Sequence, residues 1–264
     1  MQHSPHAMRL KRAVRTAYLR FGRRYVSRDL EVSLGPIDMT PEIRDQIVGT
    51  RNDALPVELI REYTNSKHGV PANLADLKVL LPRYLEIMAE DIAVDFAESG
   101  TELKRFGDAL RSNSRFFTNE ERALLDDWAS AMLEHFAMVD AKTMSIADPF
   151  YLFQALVLGG WSVPTLARSI ESAFGAATTG PSAMRRFSGK VTENLIHDHG
   201  KVGVNWPAMR HSSHEAKTQA ADWLNLLCNS PKMVAIAQAN GEGSGPVKEF
   251  VLLSGRFSAE LFPS

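Results

Sequence analysis

Cysteine is almost absent from this sequence, since Cys228 is the only one in 264 residues. A disulfide within the chain needs two cysteines and a cysteine-rich zinc site needs more, so both are excluded. A chain with so little cysteine fits a reducing compartment, and we expect a cytoplasmic protein, although a cysteine-poor periplasmic protein would have the same composition. Cys228 follows Leu226 and Leu227, a setting typical of a small buried hydrophobe, and no motif positions a base that would make it a nucleophile.

Long hydrophobic runs are missing as well. The longest apolar stretch, FYLFQALVLGGW at residues 150–161, is well short of the ~20 residues that a membrane-spanning helix needs. This stretch predicts a buried helix. With 44% hydrophobic and 23% charged residues, the chain has the composition of an ordinary globular protein, which argues against wholesale disorder.

Recognisable catalytic motifs are also missing from the sequence. The sequence contains no G-x-S-x-G, no phosphate-binding loop, no dinucleotide fingerprint and no zinc pattern. The glycine-rich segment NGEGSGP follows a helical pattern and carries no Gly-Lys-Ser/Thr, so it is interpreted as a linker. We predict no cofactor, and no sequence motif supports an enzymatic activity.

Helix start signals, by contrast, recur along the whole chain. Thr40-Pro41 and Ser230-Pro231 place a capping residue before a proline, and Thr118 with Glu121 forms a capping box. A second box is predicted at residues 212–215. Because an alternating strand pattern is almost absent, we predict an all-α fold, an irregular multi-helix bundle or helix-pair array.

Two segments near the C-terminus are harder to assign. PSAMRRFSGKVTENLIHDHG predicts one helix that begins at Pro181, is weakened at Gly189 and ends at Gly200. The tail KEFVLLSGRFSAELF is compatible with a short strand or hairpin and with a last helix. Both interpretations of the tail stay open.

The segment YTNSKHGVPANLADLKVLLPRYLEIM predicts two helices joined by a turn. Gly69 and Pro71 turn the chain, and Asn73 caps the second helix with Asp76 assisting its first turn. Pro82 cannot donate a backbone hydrogen bond, so it either kinks this helix or begins a new one. Lys67 and His68 are candidate exposed residues of the turn, which we interpret as a hinge between helices.

Part of this segment carries a family resemblance. DLKVLLPRYLE, residues 76–86, resembles the D-x-x-x-x-L-P-R-x-L-E pattern of uncharacterised bacterial all-helical proteins, in which a tyrosine-containing helix and a polar turn come first. Here the preceding element is IREYTNSKHGV, and the resemblance covers residues 60–90. It implies a bacterial helical protein and assigns neither an activity nor a site.

Charge divides the chain into three zones, although the net charge is only −1. Residues 1–28 hold eight basic and no acidic residues, residues 29–148 hold 12 basic and 23 acidic residues, and residues 149–264 hold 10 basic and 8 acidic residues. We predict a basic N-terminal helix, an acidic helical subdomain and a near-neutral helical subdomain, of which the first two are also compatible with a single domain.

The basic zone predicts an amphipathic helix. Its candidate anion-binding residues are Arg9, Lys11, Arg12, Arg15, Arg20, Arg23 and Arg24. A targeting segment, a membrane-surface helix and a nucleic-acid arm all have this composition. A fourth interpretation is that the arginines pair with the acidic zone of the same chain.

The acidic zone contains a second candidate surface, on the helix that follows Pro82. Its candidate partner-binding residues are Glu86, Glu90, Asp91, Asp95 and Glu98. Such a run is typical of a solvated helix face, and the alternative is a docking surface for a cationic partner.

Histidines suggest a third kind of site. The candidate residues are His197, His199, His211, His214 and Glu215. His211 and His214 are three apart, so on a helix they would share a face and present two nitrogens to a metal. The H-x-x-x-H spacing of zincins is missing, however, and a histidine near a helix-ending glycine complements the helix terminus. We therefore assign no metal site.

These observations leave three functional hypotheses. The first is a non-catalytic helical interaction protein that docks a basic protein partner on its acidic zone, for example a bacterial immunity-type, antitoxin-type or regulatory protein. The second is a nucleic-acid or anionic-surface binder that acts through the basic zone. The third is a metal-dependent enzyme that uses the histidine cluster.

Overall fold

A computed structural model describes residues 5–35, 38–66, 73–90, 103–113, 115–138, 149–175, 180–206, 209, 213–239 and 244–263. The described residues form twelve α-helices and one two-stranded antiparallel hairpin. The predicted all-α class is therefore confirmed.

The first six helices carry the charged N-terminal half of the chain. They are α1 (Pro5–Phe21), α2 (Pro41–Gly49), α3 (Val57–Asn65), α4 (Leu74–Ala89), α5 (Lys104–Ser112) and α6 (Asn119–Met138). The remaining six are α7 (Pro149–Leu158), α8 (Val163–Gly175), α9 (Gly180–Glu193), α10 (His214–Cys228), α11 (Pro231–Gln238) and α12 (Ser244–Leu252). The hairpin, β1 (Leu195–Asp198) and β2 (Lys201–Val204), follows α9.

Helix α6 joins the two halves, because it contacts α1 in the first and α7, α8 and α9 in the second. Helix α1 packs against both α6 and α4. The buried side chains of all three charge zones belong to one hydrophobic cluster that extends from Leu10 to Phe262. The division into subdomains stays a prediction, since a shared core is compatible with either organisation.

The predicted helix starts are largely confirmed by hydrogen bonds. The Thr118 hydroxyl accepts from the Glu121 backbone N–H at 3.2 Å, and the Thr118 N–H donates to the Glu121 carboxylate at 2.8 Å. Thr40 and Ser230 cap α2 and α11 through their hydroxyls. For α10 the prediction is one residue early, because the hydroxyl of Ser213 accepts the capping bond.

Helix α4 continues through Pro82 without a break from Leu74 to Ala89. Proline removes one backbone hydrogen bond, and it disturbs the turn before it. In that turn the amide of Asn52 donates to the carbonyl of Val79 at 2.6 Å. The same buried amide donates to Gly22 at 3.0 Å and accepts from the Arg24 N–H at 3.0 Å. Asn52 therefore ties the exit of α1 to α4.

Asp76 has a larger role than the predicted one. Asn73 caps α4 as expected, since its side chain accepts from the N–H groups of residues 75 and 76. The carboxylate of Asp76 is buried and accepts from the backbone N–H and the hydroxyl of Ser27, at 2.7 and 2.8 Å. It thus anchors the chain that follows α1. The predicted turn residues Lys67, His68, Gly69 and Pro71 lie outside the described residues.

The predicted helix over residues 181–200 is wrong in its last third. Helix α9 ends at Glu193, and residues 195–204 form the hairpin. His199 and Gly200 both have positive φ, at 44° and 83°, which is the backbone that a two-residue hairpin turn demands. The N–H of Val202 donates to Arg256 in the C-terminal tail at 2.8 Å. Pairing with a distant segment is a tertiary effect that overrides the local helical pattern.

The tail begins with a helix, which is one of the two structures that the sequence left open. Its first part is the last helix, α12, and its second part forms an isolated bridge in which Phe257 pairs with Val202. The two-stranded hairpin lies before α10, and the bridge at Phe257 joins the tail to its second strand, β2.

Glycine has a strict packing role where α5 meets the end of α7. A Cβ added at Gly107 would lie 1.9 Å from the carbonyl oxygen of Leu158, well inside van der Waals contact. That oxygen is part of the backbone and cannot move aside alone. Any side chain at residue 107 must push the two helices apart.

We expect Gly107→Ala to lower the free energy of unfolding by about 1–3 kcal/mol, the usual cost of overpacking a core. Urea denaturation followed by circular dichroism measures this. Gly49→Ala is the matched control, since a Cβ at Gly49 meets nothing within 4 Å. A Gly107→Ala protein as stable as the Gly49→Ala protein would contradict the close approach.

Glu121 joins the start of α6 to α4. Its carboxylate accepts from Lys78 Nζ at 2.8 Å in addition to the cap on Thr118. Burial raises the pKa of Glu121, but the hydrogen bonds from Lys78 and from the Thr118 backbone lower it by more, so the pKa lies below its ordinary value of 4.5. A carboxyl whose pKa is lowered by folding stabilises the fold above its unfolded pKa and stops doing so as pH falls through the folded pKa.

We therefore expect Glu121→Gln to reduce the free energy of unfolding at pH 7 by about 1.5–3 kcal/mol, as for loss of charged hydrogen bonds. The difference from wild type should shrink as pH falls below about 4. Urea titrations at several pH values measure it. Glu120→Gln is the control, because Glu120 is exposed and its pair with Arg20 contributes little. A difference that is independent of pH would refute this account.

Candidate functional site

Helix α1 has two sharply different faces. The inner face packs against α4 and α6 through the buried residues Leu10, Ala13, Val14, Ala17, Tyr18 and Phe21. The outward face is defined by five exposed residues, each three or four positions from at least one other member: Met8, Lys11, Arg12, Arg15 and Leu19. Because residues at this spacing lie above one another on a helix, the three cations form one continuous group.

Cations beside this face are neutralised within the chain. Arg9 contacts Asp127 and Glu134 of α6 at 2.7 Å each, and Arg20 contacts Glu120 at 2.9 Å. Acidic neighbours raise the pKa of Arg9, although burial opposes them, so its charge is permanent.

Arg23, just beyond the helix, contacts Asp53 at 3.1 Å. Hydrogen bonding to Arg51 is the main cause that lowers the pKa of Asp53, which therefore stays ionised. Some of the predicted anion-binding residues, Arg9, Arg20 and Arg23, thus pair with the acidic zone of the same chain.

Lys11, Arg12 and Arg15 differ from these three. Each is exposed, and none forms a side-chain hydrogen bond or ion pair with any part of the chain that the structure describes. Arg24 is also exposed, beyond the end of α1, where its backbone N–H bonds to Asn52. Within the described ranges, the three cations of the outward face therefore form no ion pair.

A cleft of ≈ 480 Å³ opens beside this face, between α1, α4 and α6. Lys11, Arg15 and Arg23 line it together with Glu86 and Glu90. Sequence reasoning assigned these cations and these acids to different partners, and the structure brings them together. The cleft therefore has mixed charge.

The carboxylate of Glu86 already has hydrogen-bond partners within the chain at this cleft. Its carboxylate accepts from the hydroxyl of Tyr18 at 2.6 Å and from Arg83 at 2.6 Å. Burial and the contact with Glu86 raise the pKa of Tyr18, so its hydroxyl remains a neutral donor. Glu90 is exposed at the end of α4, and the predicted residues Asp91, Asp95 and Glu98 lie outside the described residues.

The histidine candidates are spread over two elements. His197 lies on β1, and His199 contacts Asp198 at 2.5 Å in the exposed hairpin turn. His214 is the first residue of α10, and His211 lies outside the described residues. Within the described ranges, no group of three or more His, Cys, Asp or Glu residues could hold a metal ion.

Sequence reasoning missed two residues that shape the site, Asn52 and Asp53. Asn52 is fully buried and holds the chain at the exit of α1, while Asp53 neutralises Arg23 at the edge of the cleft. Both lie in a short 3-10 helix, Asn52–Ala54, between α2 and α3. No local pattern marks them, because their partners are about 30 residues away in the chain.

Comparison with protein-family models, with curated proteins and with solved structures finds no match for this chain. Among the described helices, none combines the length and the apolar composition that crossing a membrane requires. The candidate site is therefore judged on its own geometry.

Cys228 is the one nucleophilic thiol of the chain, and it is fully buried. Its Sγ donates to the carbonyl of Phe250 at 3.0 Å. Burial raises the pKa of Cys228 to about 12, so the thiolate is scarce at neutral pH. The residue behaves as the small buried hydrophobe that its position in the sequence predicts.

We expect a thiol-specific reagent at pH 8 to label Cys228 at least about 100-fold more slowly in the folded protein than in the urea-unfolded chain, because both burial and the raised pKa suppress the thiolate. Absorbance of the released chromophore measures both rates. Rapid labelling of the folded protein, at the rate of a free thiol, would contradict this arrangement.

Proposed function

We propose that this protein is a non-catalytic interaction protein that binds a partner with clustered negative charge through the outward face of α1. One observation carries the proposal. Along a single short stretch of chain, Arg9, Arg20 and Arg23 pair with acidic residues, whereas Lys11, Arg12 and Arg15 are exposed and have no ion-pair partner among the described residues.

Such a group is well suited to attract an anionic partner. Three positive charges within two helical turns create a local field although the whole chain carries a net charge of only −1. The field acts over about 8 Å at physiological ionic strength, so binding should weaken steeply as salt is added.

The reverse arrangement, a basic partner on the acidic zone, receives less support. Glu86 already accepts two hydrogen bonds, and Glu90 lines a cleft that also contains Lys11 and Arg15. A cationic partner at this cleft would meet cations as well as acids. The hypothesis stays a prediction for the segment that holds Asp91, Asp95 and Glu98.

Heparin chromatography tests the proposal with a generic anionic polymer. We expect wild type to be retained in low salt and the Lys11→Gln/Arg12→Gln/Arg15→Gln protein to elute at a clearly lower salt concentration. Each lost contact with a phosphate or sulfate group weakens binding and reduces the slope of log K against log salt concentration by about one.

The matched control is Arg28→Gln/Arg115→Gln/Lys248→Gln, which removes the same charge from three exposed residues elsewhere. The control should elute with wild type. If both triple variants elute together, net charge explains the retention and the outward face has no special role. Unchanged circular dichroism in all three proteins establishes that each is folded.

A further inference from the structure

The outward face of α1 contains more than cations. Leu19 is 76% exposed and Met8 is 56% exposed, and both belong to the same face as Lys11, Arg12 and Arg15. Six large hydrophobic side chains are exposed among the described residues, at Met8, Leu19, Tyr25, Leu34, Leu226 and Leu252. Two of these six therefore bracket the unpaired cations.

The spacing of these side chains matches a flat surface. Met8 and Leu19 are eleven positions apart, which is about 16 Å along a helix, and the three cations lie between them. The inner face of α1 is held by its packing on α4 and α6. A planar partner can thus contact all five side chains without moving the helix.

We propose that the outward face of α1 binds peripherally to the surface of an anionic phospholipid bilayer. Lys11, Arg12 and Arg15 contact lipid phosphates, and Leu19 and Met8 enter the boundary between headgroups and acyl chains. This inference rests on the proposed function, because it names the anionic partner of the same face.

Charge complementarity calls for an anionic partner, and the exposed apolar side chains beside the cations favour a bilayer over a nucleic acid. Both supply phosphates, but the outward face presents no aromatic side chain on which a base could stack. Leu19 would stay in water beside a nucleic-acid backbone, whereas a bilayer removes it from water. Lysine and arginine side chains can also place their methylene groups against the acyl chains while their charged ends contact the lipid headgroups.

Sedimentation with sucrose-loaded vesicles tests the inference. We expect wild type to sediment with vesicles that contain about 30% phosphatidylglycerol in phosphatidylcholine, and not with phosphatidylcholine alone. Lys11→Gln/Arg12→Gln/Arg15→Gln should reduce the partition coefficient on the order of 100-fold, about fivefold for each cation.

Apolar variants separate the bilayer from other anionic partners. Met8→Ser/Leu19→Ser should lower vesicle binding by about fivefold to tenfold and leave heparin retention unchanged, because it alters no charge. Leu252→Ser is the matched control, since Leu252 is also 76% exposed and lies on α12. It should bind vesicles as wild type does.

The possible outcomes distinguish this inference from the proposed function. If vesicle binding is absent while heparin retention still depends on the three cations, the bilayer is the wrong partner and the proposed anion-binding role of the outward face stands. Duplex DNA bound equally well by wild type and Met8→Ser/Leu19→Ser would then assign the face to nucleic acid. If neither heparin nor vesicles respond to the cation substitutions, both proposals fail.

Discussion

The structure depends on how α1 is packed. Its apolar side chains, among them Tyr18 and Phe21, are buried against α4 and α6, and this burial fixes the rotation of the helix about its axis. Two buried polar side chains then hold the chain that leaves it. Asn52 bonds to residues 22 and 24, and Asp76 bonds to Ser27. Since unpaired polar groups in a core are costly, these bonds leave few alternatives for the path of the segment.

A fixed rotation sorts the charges of the helix. Arg9 faces α6 and meets two carboxylates, whereas Arg12, less than one turn away, faces outward and meets none in the described residues. The neutral composition of the chain therefore conceals a local imbalance. Ion pairs on one side of α1 use acidic residues of the middle zone for internal contacts, and the cations on the other side form no ion pair with the part of the chain that the structure describes.

Much of the architecture could be predicted because its signals are local. Capping residues such as Thr118 and Ser230 act within four residues of themselves, and the period of apolar residues along α1 defines its buried face. The hairpin after α9 could not be predicted in this way, since Val202 pairs with a tail segment more than 50 residues later. Asp76 likewise looks like an ordinary first-turn acid until Ser27 is placed beside it.

The sequence by itself determined the helical class, most helix starts and the clustering of eight basic residues before residue 29. Only the tertiary structure decided which of those cations pair with acidic residues. Arg9 and Glu134 are 125 residues apart in the chain but 2.7 Å apart in space, and no local pattern encodes such a contact. A charge is recognisable from its residue type alone, but its availability depends on every element that packs around it.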